Sequence, residues 1–251
     1  MIGIICALQI EVDGLKALME NPETTQKAGL EFFSGKIFGK DVALLECGRG
    51  KVNAAVGTQI LIDLFKPDVV INSGIAGSLS KNLIIGDIVI SSDCVEHDIN
   101  CTALEEPRGQ IWFPNEKRVD IPADMEVVNK LAECCQNLGS HVNIGRVASG
   151  DIFIVYRRQR ETIAFDFEAL CCEMEGGAVG HVCYMNKVPF AILRSISDDL
   201  IQQARELRGV QAACGRQNDQ GYEKIHSDGL ILSGSQCGCL YFFIRHGKAC
   251  L

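Results

Sequence analysis

The sequence predicts a single α/β domain, built as a twisted, mostly parallel or mixed central sheet flanked by helices, with an atypical C-terminal tail. Three observations predict it. Apolar runs of strand length recur, segments with helical periodicity separate several of them, and no internal repeat or low-complexity segment interrupts the pattern. Continuous apolar strands that alternate with helices are typical of a largely parallel sheet covered on both faces. A chain of 251 residues, 47% of them hydrophobic, can bury one large core of this kind.

The predicted elements follow in order along the chain. Strands are predicted for the apolar runs at 2–8, 41–48, 67–74, 86–93, 143–150 and 188–197. Helices are predicted at 51–65 and 124–138, which are longer and have helix-like spacing. A further helix begins after Glu175, because apolar residues follow it at spacings of three, four and seven. The stretch 97–122, which contains prolines, is predicted to be a loop excursion.

Composition and charge argue against several classes of partner. With charged residues at 22% and a net charge of −8, we expect neither a disordered chain nor one that binds nucleic acid. No apolar run is long enough to span a membrane, and the start "MIGIICALQIEVDGL" lacks a basic leader, so we expect no membrane association. The 13 cysteines lie in apolar segments or adjacent pairs without a C-x-x-C spacing, which predicts reduced thiols, a cytoplasmic location and no metal.

Two glycine-rich segments differ in what they predict. "GRGKVN" (48–53) lacks the third glycine of a dinucleotide fingerprint and the spacing of a Walker loop, so we expect neither NAD nor ATP. "NSGIAGS" (72–78) follows a buried strand, which puts Gly74 and Gly77 at its carboxyl end, where open α/β sheets bind ligands. Glycine at that edge lets a flat ligand approach the backbone closely. An ordinary strand-to-loop turn is the alternative interpretation.

Acidic and aromatic residues also follow other predicted strands. Glu11 comes after the first strand, Phe153 lies in "SGDIFI", and Asp198 lies in "RSISDD". Each alone is most often structural, as a helix cap, a core aromatic or a turn aspartate, but their recurrence at strand ends predicts a shared cleft. Glu175 lies at the core edge of its helix, where an ionised carboxylate costs several kcal/mol unless hydrogen bonds offset the cost. Glu175 is therefore a candidate functional residue, and a capped surface glutamate is the alternative.

Taken together, these motifs resemble the 5′-methylthioadenosine/S-adenosylhomocysteine nucleosidases of the purine nucleoside phosphorylase-like superfamily. The matching segments, in family order, are "IGIICALQIEV", "VALLECGRGKVNAA", "KPDVVINSGIAGSL", "GDIVIS", "HDIN", "SGDIFI", "EMEGGAVGHVC" and "VPFAILRSISD". The pairing of "EMEG" with a downstream "RSISD" is the most specific part. The resemblance implies a nucleoside phosphorylase-like domain over 1–198, followed over 199–251 by a tail that the family does not share.

The resemblance implies a role for each site residue. Glu175 would bind the ribose hydroxyls and stabilise positive charge on the sugar, and Asp198 would protonate adenine at N7 as the general acid. Glu11 would activate the attacking water as the general base, with Arg194 orienting both. An acid that keeps its proton near neutral pH needs burial or a neighbouring carboxylate, which we expect around Asp198. The other binding residues implied are Met174 beneath the ribose, Phe153 stacked on adenine, and Ile154, Ala76, Gly77, Leu8, Arg49 and Ser197.

These roles imply hydrolysis of the N-glycosidic bond of 5′-methylthioadenosine and S-adenosylhomocysteine. The products are adenine and a 5-thioribose, which serve methionine salvage and detoxification of the methyl cycle. No cofactor is implied, and the partners are a small nucleoside and a second copy of the chain in a homodimer. The excursion at 97–113, which carries Leu104, Ile111, Trp112 and Phe113, is the candidate loop that closes the partner's 5′ pocket.

Three alternatives stay open. A nucleoside phosphorylase is disfavoured because Asn72 stands where those enzymes have a phosphate-binding arginine, and because Glu11 carries negative charge. A futalosine-type hydrolase is favoured somewhat by Arg49, which replaces an apolar residue of the 5′ pocket. That arginine is either a solvent-facing residue or a sign that the 5′ substituent carries a carboxylate, as in S-adenosylhomocysteine. The third alternative is a catalytically compromised nucleoside-binding protein, because of the tail.

The tail is the largest departure from the family, which ends in a long amphipathic helix. The segment 208–228 can be back-translated so that the same bases, read one nucleotide displaced, encode a helix-forming peptide with a phenylalanine in the expected place. We therefore expect residues from about 200 onward to be an out-of-frame replacement of that helix. Loss of a core-covering helix predicts poor folding or low activity, because net stability is only about 5–15 kcal/mol.

Overall fold

The computed structural model describes residues 1–198, 240, 243 and 244. Within them the strands are β1 (Ile2–Cys6), β2 (Glu20–Lys27), β3 (Leu30–Ile37), β4 (Lys40–Glu46), β5 (Val69–Ser78), β6 (Ile88–Glu96), β7 (Ile111–Trp112), β8 (Lys117–Arg118), β9 (Asp120–Pro122), β10 (Val142–Ser149), β11 (Cys171–Glu173) and β12 (Phe190–Asp198). The helices are α1 (Gln9–Lys16), α2 (Lys51–Phe65), α3 (Met125–Asn137), α4 (Arg157–Phe167) and α5 (Gly176–Asn186). None of these helices has both the length and the apolar character needed to cross a membrane.

Ten of the described strands form one mixed sheet. Its order is β11-β10-β6-β12-β5-β1-β4-β3-β2, with β9 paired to β6. Because β11 pairs with β5 as well as with β10, the ladders join β11, β10, β6, β12 and β5 into a closed ring. β5 is parallel to β1 and to β12, and antiparallel to β11. The carboxyl ends of β1, β5 and β12 therefore lie at the same edge of the sheet, and the segments that leave that edge can share one site.

The predicted α/β class is confirmed, and each of the six predicted strands overlaps an observed one. Helix α2 begins and ends at the predicted residues, and α3 and α5 lie where helical spacing indicated them. The sheet is more mixed than expected, because an antiparallel hairpin of β2 and β3 extends the edge formed by β4. β2 escaped prediction because all eight of its residues are exposed, so burial imposes no alternation of apolar and polar residues on it.

The excursion after β6 is folded against its own chain in part. It contains a 3₁₀ turn and the short strands β7, β8 and β9. Ile111 is 3% exposed, and Phe113 packs against two rings of α5 with centroids 4.7 and 5.0 Å away. Ile111 and Phe113 therefore pack within their own chain, whereas Leu104 and Trp112 are 73% and 61% exposed. The role of this excursion at a partner's 5′ pocket stays a prediction.

The principal core cluster joins the strands to α1, α2, α3 and α5, and three tail residues belong to it. Leu240, Phe243 and Ile244 are helical and at most 5% exposed. Burial of an aliphatic or aromatic side chain is worth about 1.5–3 kcal/mol, so the tail stabilises the core at these positions. The expectation of an out-of-frame tail over 199–251 otherwise lies outside the described residues.

Candidate active site

The carboxyl ends of β1, β5 and β12 bring the predicted site residues to one edge of the sheet. Asp198 lies opposite Gly77 in the ladder between β12 and β5, and Ile5 lies opposite Asn72 in the ladder between β1 and β5. β11 pairs with the same end of β5. Gly74 and Gly77 are about 10 Å apart along β5, at about 3.3 Å per residue. That separation is comparable with the long dimension of a nucleoside.

Glu11 is buried in the first turn of α1, just beyond β1. Its Oε2 accepts hydrogen bonds from the backbone amides of Ala7 and Leu8, both at 3.0 Å. Burial raises the pKa of Glu11 above its ordinary value of 4.5, although Arg194 and the backbone donors act in the opposite direction. A carboxylate with a raised pKa is a stronger base than a free glutamate, so this group can accept a proton from water.

Arg194 on β12 is a fully buried cation among carboxylates. Its Nη2 donates to Asn72 Oδ1 and to Glu173 Oε2. Burial lowers the pKa of Arg194, but the charges of Glu173, Glu175 and Glu11 together outweigh burial and raise this pKa above its ordinary value. Arg194 therefore stays charged and is the electrostatic centre of the cluster.

Gly74 makes room for this cluster. A Cβ at position 74 would overlap Arg194 Nη1 and would lie 3.2 Å from Glu11 Oε1. Any other residue on β5 at this point would push the guanidinium away from its partners. The sequence indicated a close approach at Gly74, and the structure gives the approaching group as an arginine of the protein itself.

Glu173 ties the cluster to the start of α5. Its Oε2 accepts the backbone amides of Glu175 and Gly176 at 2.9 and 2.7 Å, and its Oε1 accepts the hydroxyl of Ser149. Together with the bond from Arg194, these contacts satisfy a carboxylate that is only 8% exposed. Glu173 was not among the predicted site residues, although it is a second acid within "EMEG" and could have been proposed for that reason.

Glu175 is the N-cap residue of α5 and is 5% exposed. Its Oε1 accepts the backbone amide of Gly50 at 2.9 Å. Burial, with a contribution from the charge of Glu173, raises the pKa of Glu175 to about 7, while Arg194 and Gly50 oppose the shift. About half of the Glu175 side chains are therefore ionised at neutral pH. A polar ligand that donates hydrogen bonds to this carboxylate would shift it toward the ionised form.

Half-buried ion pairs fix the turn that carries Gly50. Lys51 Nζ lies 2.8 Å from Glu96 Oε2 and 2.7 Å from Asp98 Oδ1. The backbone amide of Lys51 donates to Asp151 Oδ1 at 2.7 Å. These contacts hold the "GRGK" turn in place, so the backbone amide of Gly50 is positioned to donate its hydrogen bond to Glu175.

Asp198 lies at the end of β12, where Ser197 Oγ donates to its Oδ1 at 3.0 Å. Its Oδ2 forms an ion pair with Arg160 Nη2, and the side chain is 34% exposed. Within the described residues, the charged neighbour of Asp198 is therefore a cation, and the expected burial or neighbouring carboxylate stays a prediction. Arg160 was missed because its helix α4 is mostly polar and far from Asp198 in sequence.

The other predicted binding residues fall into two groups. Ala76 and Ile154 are buried, and Leu8, Met174, Gly77 and Ser197 are half-buried. Arg49 is exposed, and Phe153 is 74% exposed, so neither packs within the buried cluster. Over residues 1–198, 240, 243 and 244, no three His, Cys, Asp or Glu side chains are grouped to hold a metal ion. The buried carboxylates and arginines of the described part can supply acid–base catalysis and electrostatic stabilisation.

Known proteins are similar to this chain in sequence and in fold. The Phosphorylase superfamily model matches residues 1–219. A 5′-methylthioadenosine/S-adenosylhomocysteine nucleosidase of Shewanella halifaxensis (strain HAW-EB4) is 41% identical over 200 residues, which cover 79% of this chain and 86% of the relative. The crystal structure of such a nucleosidase from Neisseria meningitidis, in complex with methylthio-immucillin-A, is 27% identical with a TM-score of 0.83, covering 97% of this chain and 98% of that chain.

A second activity occurs among the structural neighbours. The futalosine hydrolase of Helicobacter pylori strain 26695 is 25% identical with a TM-score of 0.82, covering 97% of this chain and 96% of that chain. The family match over residues 1–219 and the 41% identity across 79% of the chain carry the assignment. The chain belongs to the 5′-methylthioadenosine/S-adenosylhomocysteine nucleosidases of the phosphorylase superfamily.

Proposed function

We propose that this chain is an N-glycosyl hydrolase that cleaves 5′-methylthioadenosine and S-adenosylhomocysteine, releasing adenine and a 5-thioribose product. The observation that carries the proposal is the buried cluster of Glu11, Glu173 and Glu175 around Arg194 at the strand ends. The names of the relatives support the substrate class. A place in methionine salvage and in removal of S-adenosylhomocysteine follows from these products.

Glu175 is the proposed sugar-binding group. N-glycosidic cleavage passes through an oxocarbenium-like sugar, so negative charge beside the ring lowers the barrier. The ribose hydroxyls donate hydrogen bonds to the Glu175 carboxylate, whose Oε1 already accepts the amide of Gly50. Met174, half-buried beside it, packs beneath the ribose.

Glu11 and Asp198 are the proposed proton acceptor and donor. The water oxygen forms the new bond to C1′ as Glu11 takes a proton from that water. The bond from C1′ to N9 breaks, its electron pair goes to the purine, and Asp198 supplies a proton at N7. Ile154, Ala76 and the backbone at Gly77 line the base. Phe153, exposed at the edge of the site, is free to stack on the purine as it binds.

The charge and bonding of the cluster favour water over phosphate as the acceptor. Asn72 Oδ1 accepts from Arg194, and its Nδ2 donates to the carbonyl of Ile5 at 3.0 Å. Both ends of the Asn72 amide are therefore engaged within the protein. A phosphate dianion would meet the carboxylates Glu11 and Glu175, so its entry is disfavoured.

The activity is tested with the purified full-length chain. We expect adenine release from both nucleosides at the same rate with and without phosphate, together with a free thioribose product. Phosphate-dependent release with a sugar phosphate product would indicate a phosphorylase. Calorimetric binding of 5′-methylthioadenosine without adenine release would indicate a compromised binding protein instead.

Two substitutions test the proton-transfer roles. Glu11→Gln and Asp198→Asn should each lower the rate by at least about 100-fold, the contribution typical of a general acid or base, while largely sparing ligand binding. Full activity in either variant would refute its assigned role. The exposed carboxylates of Glu126 and Asp41 provide matched controls, because each pairs with a surface lysine. Glu126→Gln and Asp41→Asn should keep the wild-type rate.

A futalosine-type substrate is the second candidate, favoured by the Helicobacter pylori neighbour and by exposed Arg49. An arginine at the 5′ pocket would pair with a carboxylate on the 5′ substituent. Competition between 5′-methylthioadenosine, S-adenosylhomocysteine and futalosine in one assay ranks the three. Arg49→Leu should weaken use of S-adenosylhomocysteine relative to 5′-methylthioadenosine, whose 5′ substituent is uncharged, and an unchanged ratio would exclude this role.

We also propose a cytoplasmic homodimer. Exposed Leu104 and Trp112 support an interface next to the 5′ pocket. The free thiols of Cys47, Cys94, Cys101, Cys171, Cys172 and Cys183 support a reducing compartment. Analytical ultracentrifugation should give a dimer for the wild type. Leu104→Glu should give monomer and a raised KM, whereas a monomeric wild type would reject the proposal.

A further inference from the structure

Arg160 is a buried arginine in an otherwise polar helix, α4, and it is 2% exposed. Its Nη1 donates to the carbonyl of Ser78 at 3.2 Å, and its Nη2 donates to the carbonyl of Ile154 at 3.1 Å. The same Nη2 forms an ion pair with Asp198 Oδ2. Removing a charged group of this kind from water is costly, so the contacts that compensate it are expected to matter.

The partners of Arg160 belong to three separate segments. Ser78 ends β5, Ile154 lies in the segment after β10, and Asp198 ends β12. A guanidinium is planar and holds its donors in a rigid fork, so these contacts fix the three segments relative to one another. In the proposed function, these are the segments that surround the purine.

The surroundings of the ion pair are adapted to it. A Cβ at Gly77 would lie 3.1 Å from Arg160 Nη2 and 3.2 Å from Asp198 Oδ1, so glycine leaves the space in which the two side chains meet. The thiol of Cys172 on β11 faces the same pair. Burial raises the pKa of Cys172 to about 12, so this thiol is neutral and adds no charge.

We propose that Arg160 is a positioning residue for the general acid: it holds the Asp198 carboxyl beside Gly77 and fixes the Ile154 carbonyl on the opposite side of the base pocket. Arg160 does not itself touch the reacting atoms. The inference rests on the proposed function, in which Asp198 is the proton donor to the purine: the protonated carboxyl carries its proton on one oxygen while the other accepts the hydrogen bond from Arg160. Misplacing a catalytic group by about 1 Å can cost about 100-fold in rate.

The test is a double-mutant cycle on adenine release from 5′-methylthioadenosine. Arg160→Met should lower kcat by about 100-fold with KM changed by less than about 3-fold. Arg160→Lys keeps the charge but not the fork and should lower kcat by about 10-fold. In the Asp198→Asn background, Arg160→Met should change the residual rate by less than about 2-fold, because the group that it positions is already absent.

Arg146 provides a matched control. It also forms an ion pair, with Asp93, and donates to a backbone carbonyl, that of Phe167 at 2.9 Å. Arg146→Met should therefore lower thermal stability and leave kcat unchanged. An equal loss of kcat in both arginine variants would overturn the inference, since it would mark a general effect of losing an ion pair.

The remaining outcomes also decide the question. A loss of rate in the Asp198→Asn background as large as in the wild type would overturn the positioning role, as would a raised KM with unchanged kcat. If Arg160→Met fails to fold, Arg160→Lys and Gly77→Ala carry the test, and wild-type kcat in both would reject the inference. A wild type that releases no adenine would instead refute the proposed function itself.

Discussion

Substrate binding should release a proton near neutral pH, because Glu175 is both the proposed ligand for the ribose and a buried acid. Burial and the charge of Glu173 raise the pKa of Glu175 to about 7. The ionised carboxylate accepts hydrogen bonds from two ribose hydroxyls and from the amide of Gly50, whereas the protonated form has one oxygen occupied by a proton. The nucleoside therefore binds the ionised form in preference, and binding drives the proton off.

The magnitude follows from that pKa. If only the ionised form binds, the dissociation constant is about twofold weaker at pH 7 than its limiting value, and about tenfold weaker at pH 6 than at pH 8. The number of protons released per nucleoside is about 0.5 at pH 7 and about 0.9 at pH 6. Affinity should thus rise with pH and level off above about pH 8.

The assay uses Asp198→Asn, in which turnover should be at least about 100-fold slower than in the wild type. Calorimetric titration with 5′-methylthioadenosine at pH 6, 7 and 8, in two buffers of different ionisation enthalpy, gives both the affinity and the proton count. The matched comparison is the same variant with Glu175→Gln added. The double variant should bind more weakly, and the proton release assigned to Glu175 should disappear.

Two results would contradict this account. An affinity that does not change between pH 6 and pH 8 would mean that Glu175 either does not titrate there or does not bind the sugar. Proton release that persists in the Glu175→Gln variant would assign the titration to another group, of which Glu11 is the first to test because burial also raises its pKa.

Three further predictions concern stability, adenine release and the origin of the tail. The pKa of Glu175 is about 7 in the folded protein and 4.5 as the ordinary value, so ionised Glu175 destabilises the fold by about 3 kcal/mol above pH 7. Because the folded-state pKa is the higher one, this stability is present below about pH 4.5 and is lost as the pH rises to about 7. Glu175→Gln should therefore stabilise the protein at pH 8 but not at pH 4, measured by denaturant unfolding, and equal effects at both would contradict it. Gly74→Ala should displace Arg194 and abolish adenine release, whereas Gly139→Ala, with open space around it, should cost only backbone strain and spare the rate. Resequencing codons 195–230 should reveal the displaced helix codons, and an intact frame without them would end that hypothesis.

The parts of the fold that sequence predicted are those where burial dictates the pattern. α2 and the six apolar strands are recognisable because their buried residues recur at the period of a helix or form continuous runs. α4 and β2 lack that signal. Of the eleven residues in α4 only three are buried, one of them Arg160, and β2 has none. An element that lies on the surface has too few buried residues to produce a hydrophobic periodicity in its sequence.

For the site, the sequence predicts the positions of candidate residues but not the environments that surround them. Glu11 and Asp198 could be proposed from the sequence because each follows a predicted strand, and the carboxyl ends of parallel strands meet. Glu175 could be proposed because helical spacing puts it at the core edge of its helix. Their environments were not predictable, because they depend on groups distant in sequence. The raised pKa of Glu175 is set mainly by burial in the folded chain, and the cation beside Asp198 comes from another helix, at Arg160.

The two glycines of "NSGIAGS" have a common physical reason. At Gly74 the space of a side chain is taken by the guanidinium of Arg194, and at Gly77 by the meeting point of Arg160 and Asp198. Each glycine on β5 thus admits one buried arginine, and each arginine holds one carboxylate at the edge of the sheet. The cation at Arg194 lets three acids share one buried site without all of them becoming neutral, while the cation at Arg160 fixes a fourth acid on the purine side. The motif therefore sets the separation between the two halves of the site that we propose bind the sugar and the base. Substitution of either glycine should disable only the half that its arginine holds.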